Sequence, residues 1–251
     1  MEHQSLYQYL LTLGDNALIL GQRLGELCGH GPSLETDIAC TNIALDLLGQ
    51  TRSCFQYASK QLDGKSEDDV AFLRKENEYT NVLLVEQPNN DFAFVITRQY
   101  FFDVYHLMLM EWLSANSADE TVKAIANKAV KEARYHRRFS SDWMLRLGDG
   151  TQESHQRVLA AVEALWPYTQ EFFVPSEAEA WAASAGIGPD LASFKAAYYN
   201  DVEALLEQAT VPIPENPYFQ KGGKQGRHTE HMGYLLADLQ YMQRTYPNMT
   251  W

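Results

Sequence analysis

The chain has 251 residues, with 20 basic and 33 acidic ones, a net charge of −13 and a pI near 4.9. Its 45% hydrophobic and 21% charged content is that of a globular protein and too apolar for disorder. A chain this long buries a core without staples. Its acidity argues against a nucleic-acid partner, which needs a basic face, and suits solubility or a basic protein partner.

Cys28, Cys40 and Cys54 are odd in number and lack a CxxC spacing. They read as reduced, mostly buried thiols of a cytosolic protein, not as a zinc site. Met1-Glu2-His3-Gln4 is acidic and polar, so no signal peptide is expected, and no apolar run reaches the roughly 20 residues of a membrane span. The expected location is cytoplasmic, away from membranes.

In chain order, a first helix is predicted from Leu6 to Cys28, stopped by Gly29-His30-Gly31-Pro32. Ser33 caps a second helix, with Glu35 and Asp37 in its first turn, which runs to Lys60 and stops at Asp63-Gly64. Leu34, Ile38, Ile43, Leu47, Cys54 and Tyr57 keep its helical period. A long crossover, 65–90, opens a short helix at Ser66-Glu67-Asp68-Asp69. It then becomes apolar from Asn81 to Gln87, up to Pro88. The third long helix, Asp91 to Asn116, is rich in aromatics. The fourth opens with a predicted capping box, Ser117-Ala118-Asp119-Glu120, and ends at Gly148-Asp149-Gly150.

Two short connections and one long crossover predict an all-α fold. It is a ferritin-like four-helix bundle over 6–147 within a single domain, 1–251. Appended helices fill 151–251. One, 151–168, is broken at Trp166-Pro167. A short one, 176–185, is capped by Ser176 with Glu179 and stopped by Gly186. A longer one, 189–210, has Pro189 in its first turn. Pro212, Pro214 and Pro217 force a loop, and Thr229 caps a last helix to Tyr246.

Ferritin-like bundles hold two irons with a Glu from each of two helices and a Glu-x-x-His from each of the others. Counting from the two turns, Asp15, Asp46, Asp103 and Glu132 fall at comparable depth, with Gln50, His106 and His136 within a turn. No Glu here has a His three residues on. The aligned positions hold Leu47, Gln50 and Tyr135, and Asp103-Val104-Tyr105-His106 lies on the wrong helix. The expectation is therefore a vestigial polar layer (Asp15, Asp46, Gln50, Asp103, His106, Glu132, Tyr135, His136) with no catalytic, cofactor or metal site. Arg23, Arg52, Arg98, Arg134, Arg137 and Arg138 are available to neutralise its acids. The competing reading is a stand-alone di-metal oxidase using Asp15, Asp46, Asp103, Glu132, His106 and His136. A third, a ferritin-like storage protein, is disfavoured by the appended helices.

Ordered stretches then carry a resemblance. They include Leu13-Gly14-Asp15-Asn16, Gln22-Arg23-Leu24-Gly25-Glu26, Leu45-Asp46-Leu47-Leu48-Gly49-Gln50, Leu84-Val85-Glu86-Gln87-Pro88-Asn89, Lys131-Glu132-Ala133-Arg134-Tyr135-His136 and His228-Thr229-Glu230-His231. Along essentially its whole length the chain resembles the family of non-catalytic, ferritin-like subunits of bacterial ring-1,2-phenylacetyl-CoA epoxidases. The resemblance implies a structural subunit of a multicomponent monooxygenase of phenylacetate catabolism. The epoxidase's catalytic subunit, related and also ferritin-like, would hold the di-iron centre, and a reductase would supply electrons from NADPH. This chain would carry no cofactor of its own.

The basic loop 221–228 contains Lys221, Lys224, Arg227 and His228. It reads either as salt bridges to a partner or to the chain's own acids, or as a contact to coenzyme A phosphates. P-loop spacing is missing, and His228 with Glu230 and His231 is too small a set for zinc. The third helix is apolar at nearly every angle and is expected to be covered on more than one side, by the appended helices or by a partner, and the resemblance favours the partner. Alone, the chain is expected to hide that face as a homodimer.

Overall fold

The computed structural model describes residues 2–61, 65–215, 218–247 and 249. The predicted stop at Asp63-Gly64 and the predicted Pro217 turn lie outside them. The described residues form helices and no strand. None of these helices is long and apolar enough to cross a membrane. Two long hairpins joined by a long crossover give the element order of a ferritin-like helical bundle.

The chain packs as two compact units. This grouping differs from the predicted division into a core of 6–147 and an appended 151–251. Each unit takes one long hairpin together with elements from the C-terminal part.

The first unit comprises 1–88, 176–182 and 222–251. Helix α1 (Glu2–Glu26) packs along α2 (Leu34–Ser59). The turn between them is fastened by Asp37, whose carboxylate accepts from the amides of Gly29 and Gly31, and Ser33 caps α2 as predicted. Gly14 lets the two helices close up, because a Cβ there would stand 2.3 Å from the Phe55 ring. Helix α3 (Glu67–Phe72) starts where predicted, with a capping box between Ser66 and Asp69. The stretch from Asn81 to Gln87 runs buried as an irregular segment.

The second unit comprises 89–175 and 183–221. Helix α4 (Phe92–Asn116) pairs with α5 (Glu120–Gly148) and packs on α6 (Gln152–Leu165). Most of α7 (Glu177–Ser184) belongs to the first unit. Helix α8 (Lys195–Gln208) belongs to the second, and α9 (Glu230–Thr245) to the first.

Residues 93–107 of α4 are buried without a break. The cover within this unit comes from the C-terminal segment. Tyr105 stacks on Phe172 with ring centroids 4.5 Å apart, Phe101 meets Trp166 edge-on, and the Tyr198 hydroxyl donates to the Phe101 carbonyl. Of the two covers expected, the appended helices supply this one.

Three predicted helix starts also differ. The fourth helix is capped by Asp119, whose side chain accepts from the amides of Thr121 and Val122, while Ser117 donates to the Ile187 carbonyl. The same Ser117 hydroxyl accepts from the Asp119 amide at 3.3 Å. The Pro189 helix begins as a 3₁₀ turn, 191–194, set by the Asp190 side chain, before α8. Thr229 stands at the start of α9 but makes no side-chain cap, because its hydroxyl is drawn to Glu86.

Candidate functional site

In the second unit, one turn of α4 and one of α5 face each other. Asp103 is buried. Its Oδ1 accepts from Gln99 Nε2 at 2.7 Å and its Oδ2 from Ser140 Oγ at 2.8 Å. Burial pushes its pKa up to about 8, against the pull of the Ser140 and Gln99 hydrogen bonds and the Arg137 charge. His106, one turn on, stacks on Phe102 with centroids 5.1 Å apart. Burial, then the nearby His136, push its pKa down to about 3, so it stays neutral. His136 is fully buried and meets the Tyr135 ring edge-on at 6.2 Å. Tyr135 itself is exposed and Glu132 half-buried.

In the first unit, Asp15 of α1 is buried against Arg74, which follows α3 in the crossover. The guanidinium grips both carboxylate oxygens, and the Thr80 amide adds a bond of 2.8 Å. Arg74 also donates to the carbonyls of Val70 and Glu78 and lies 4.1 Å from the Tyr79 ring centroid. Asp46 is half-buried and Gln50 buried on α2. The expected layer residues thus divide between the units: Asp15, Asp46 and Gln50 in the first, the others in the second. Among the described residues, no group of three or more His, Cys, Asp or Glu is placed to hold a metal ion. Asp15 is committed to a guanidinium, and both oxygens of Asp103 to hydrogen-bond donors.

The basic loop returns to the first unit. Lys224 is buried and pairs with Glu179 of α7 at 3.0 Å. His228 Nδ1 meets Glu86 Oε2 at 2.8 Å, and its Nε2 meets the Tyr79 carbonyl at 3.0 Å. Both neighbours are acceptors, so both ring nitrogens carry protons and the ring is an imidazolium. Burial opposes that charge, but the bond to Glu86 and its charge outweigh it and raise the His228 pKa. Lys221 and Arg227 are exposed. The glycines have definite tasks here. Gly222 and Gly226 turn the chain with φ of 137° and 71°, and a Cβ on Gly223 would strike the Asn81 carbonyl at 2.2 Å.

Glu86 is the hub of this arrangement and is fully buried. Its carboxylate also accepts from the Thr229 amide and hydroxyl at 2.6 and 2.7 Å and from Asn81 Nδ2 at 3.0 Å. Its carbonyl accepts two bonds from Arg23. Arg74, Glu86, Glu179, Gln99 and Ser140 are the partners that sequence reasoning missed. The residues were all visible, but apart from Gln99 and Asp103, one turn apart on α4, each pair joins residues far apart in the chain.

Residues 1–251 match the family described as phenylacetic acid catabolic protein. The chain belongs to this family. It is 47% identical, over 98% of its own length and 99% of the relative's, to a 1,2-phenylacetyl-CoA epoxidase subunit of Escherichia coli (strain K12). The resemblance seen in the ordered sequence stretches is therefore one of family membership. The departures at Leu47, Gln50 and Tyr135, and the Asp15–Arg74 pair, are features of a member of the phenylacetic acid catabolic family.

Proposed function

We propose that this chain is the structural, non-catalytic subunit of a 1,2-phenylacetyl-CoA epoxidase and works in phenylacetic acid catabolism in the cytoplasm. Its partner is the related ferritin-like catalytic subunit that carries the di-iron centre, beside the other subunits of the complex and a reductase fed by NADPH. Without that partner the chain pairs with itself.

The observation that carries the reading is the Asp15–Arg74 pair. A carboxylate held by both arms of a guanidinium and by a backbone amide already has its charge balanced and its lone pairs engaged. A cation in that place would meet Arg74 head-on. The near-complete coverage of the epoxidase relative supports the same reading.

The test is co-expression with a di-iron subunit, followed by purification, metal analysis and turnover of the CoA thioester. The chain is expected to co-purify, iron to follow the other subunit, and epoxidation to need both. About two irons bound by this chain alone, with turnover in the absence of any partner, overturn the proposal.

A further inference from the structure

Helix α5 is the basic element of an acidic chain. It holds seven basic residues against three acidic ones, where the whole chain carries −13. Arg134, Arg137, Arg138 and Ser141 follow one another at spacings of 3, 1 and 3, so they share one face over about 10 Å of helix. That face lines an open groove of about 590 Å³ in the second unit, between α5, α4 and α8. The size is that of a small-molecule site. Leu107, Ala204 and Leu205 give the groove an apolar part beside the three guanidiniums.

Two acids line it as well. Glu111 Oε1 accepts from Nε and Nη2 of Arg134, and Asp201 accepts from Arg137 Nη2. Neither pair fills its guanidinium, which has five N–H donors and uses two of them in these bonds. The Arg134–Glu111 pair is open to water, with side chains 61 and 46% exposed. Such pairs contribute little to stability and yield to a stronger anion. Among the described residues no carboxylate pairs with Arg138, whose guanidinium lies 6.0 Å from the Tyr135 ring centroid. The groove thus sets three cations against two anions. A monoanionic carboxylate would only repeat what Glu111 and Asp201 already provide. A phosphoryl group carries close to two negative charges at pH 7 and three acceptor oxygens, and it matches several guanidinium forks at once. We infer that this groove binds a small organic phosphate monoester, its phosphoryl group on Arg134, Arg137 and Arg138 and its apolar body on Leu107, Ala204 and Leu205. Ser141, one turn from both Arg137 and Arg138, is placed to donate to the same group. The inference goes beyond the epoxidase reading and does not depend on it.

The full-length chain is to be titrated calorimetrically with phenyl phosphate at about pH 7.5 and about 0.15 M salt, where loosely held ions are screened. Inorganic phosphate and benzoate are the comparison probes: one lacks the apolar body, the other the second charge. Phenyl phosphate is expected to bind one to one, at least tenfold tighter than benzoate and at least threefold tighter than inorganic phosphate. Arg138→Gln is expected to weaken it at least tenfold. Lys128→Gln, the same loss of charge on α5 outside the groove, is expected to weaken it less than twofold. Glu111→Gln is expected to tighten it, because it removes the carboxylate that competes for Arg134. All three positions are exposed, and circular dichroism checks that each variant is folded. No binding of phenyl phosphate at millimolar concentration, equal affinity for benzoate, equal losses in Arg138→Gln and Lys128→Gln, or a Glu111→Gln variant that fails to tighten overturns the inference. Inorganic phosphate bound as tightly as the ester also overturns it and assigns the groove to the free ion. Polyglutamate that binds where phenyl phosphate does not overturns it in favour of an acidic protein. Co-purification and epoxidation with the di-iron subunit test the functional proposal separately.

Discussion

Asp15 and Arg74 illustrate the physics at the scale of single residues. Both are buried, so each has lost its water and depends on the other. Asp15→Ala is expected to destabilise the fold by about 3 to 5 kcal/mol, because it strands the guanidinium in the core. Chemical denaturation measures this, and an additional Arg74→Met is expected to recover much of the loss. His228 gives a pH dependence whose sign follows from its raised pKa. An imidazole with a folded pKa above its unfolded value of about 6.5 contributes stability that is fully present below pH 6.5 and is lost as pH rises through the folded pKa. Urea unfolding from pH 6 to pH 9 is expected to show this decline in the native chain. In His228→Gln the stability at pH 6 should be lower and the slope over that range smaller. Asp15 was visible in the sequence as a candidate by its depth in the helix. Its partner was not, because the two are separated by 59 residues and six other arginines were equally available.

At the scale of elements, the helices themselves were legible and their surroundings were not. Gly/Pro stops, the Ser33 cap and the Ser66 capping box are local signals, and they placed α1, α2 and α3 closely. Ser117 and Thr229 had the right local chemistry for caps, but Asp119 caps α5 and the Thr229 hydroxyl donates to Glu86. The all-round apolarity of α4 was read correctly as burial on several sides. What lies on those sides was a matter of packing, and the described structure puts Trp166, Phe172 and Tyr198 there. Two glycines in long helices separate packing from propensity. Gly49→Ala is expected to stabilise the isolated fold by about 0.5 to 1 kcal/mol, since the new methyl meets open space. Gly148→Ala is expected to destabilise it, since the same methyl would stand 2.6 Å from the Ala209 carbonyl oxygen. Thermal melts of the two variants, with shifts of opposite sign, check this contrast.

At the scale of the whole molecule, the chain returns to its beginning. Residues 222–251 belong to the first unit, held there by Glu86 through Thr229 and His228 and by Gln240, whose side-chain amide donates to the Arg74 carbonyl. Truncation before Gly222 is expected to leave Glu86 without three of its donor bonds and Arg23 without its bond to the His231 carbonyl. Hydrogen exchange is expected to rise in α1 and α2. Unchanged protection there shows that the first unit holds without its C-terminal part.

The sequence by itself determined the all-helical class, the order of long and short helices, the family and the absence of Glu-x-x-His from the two helices that need it. These are local or linear properties: periodicity, caps, breakers and ordered motifs. Only the tertiary structure decided which guanidinium neutralises Asp15, which acid receives His228 and Lys224, and what covers α4. It also left the Leu34–Ile38–Leu45–Leu48 face of α2 open. The reason is physical. A buried charge is stabilised by whichever counter-charge the fold brings within about 3 Å, and that distance bears no relation to separation along the chain.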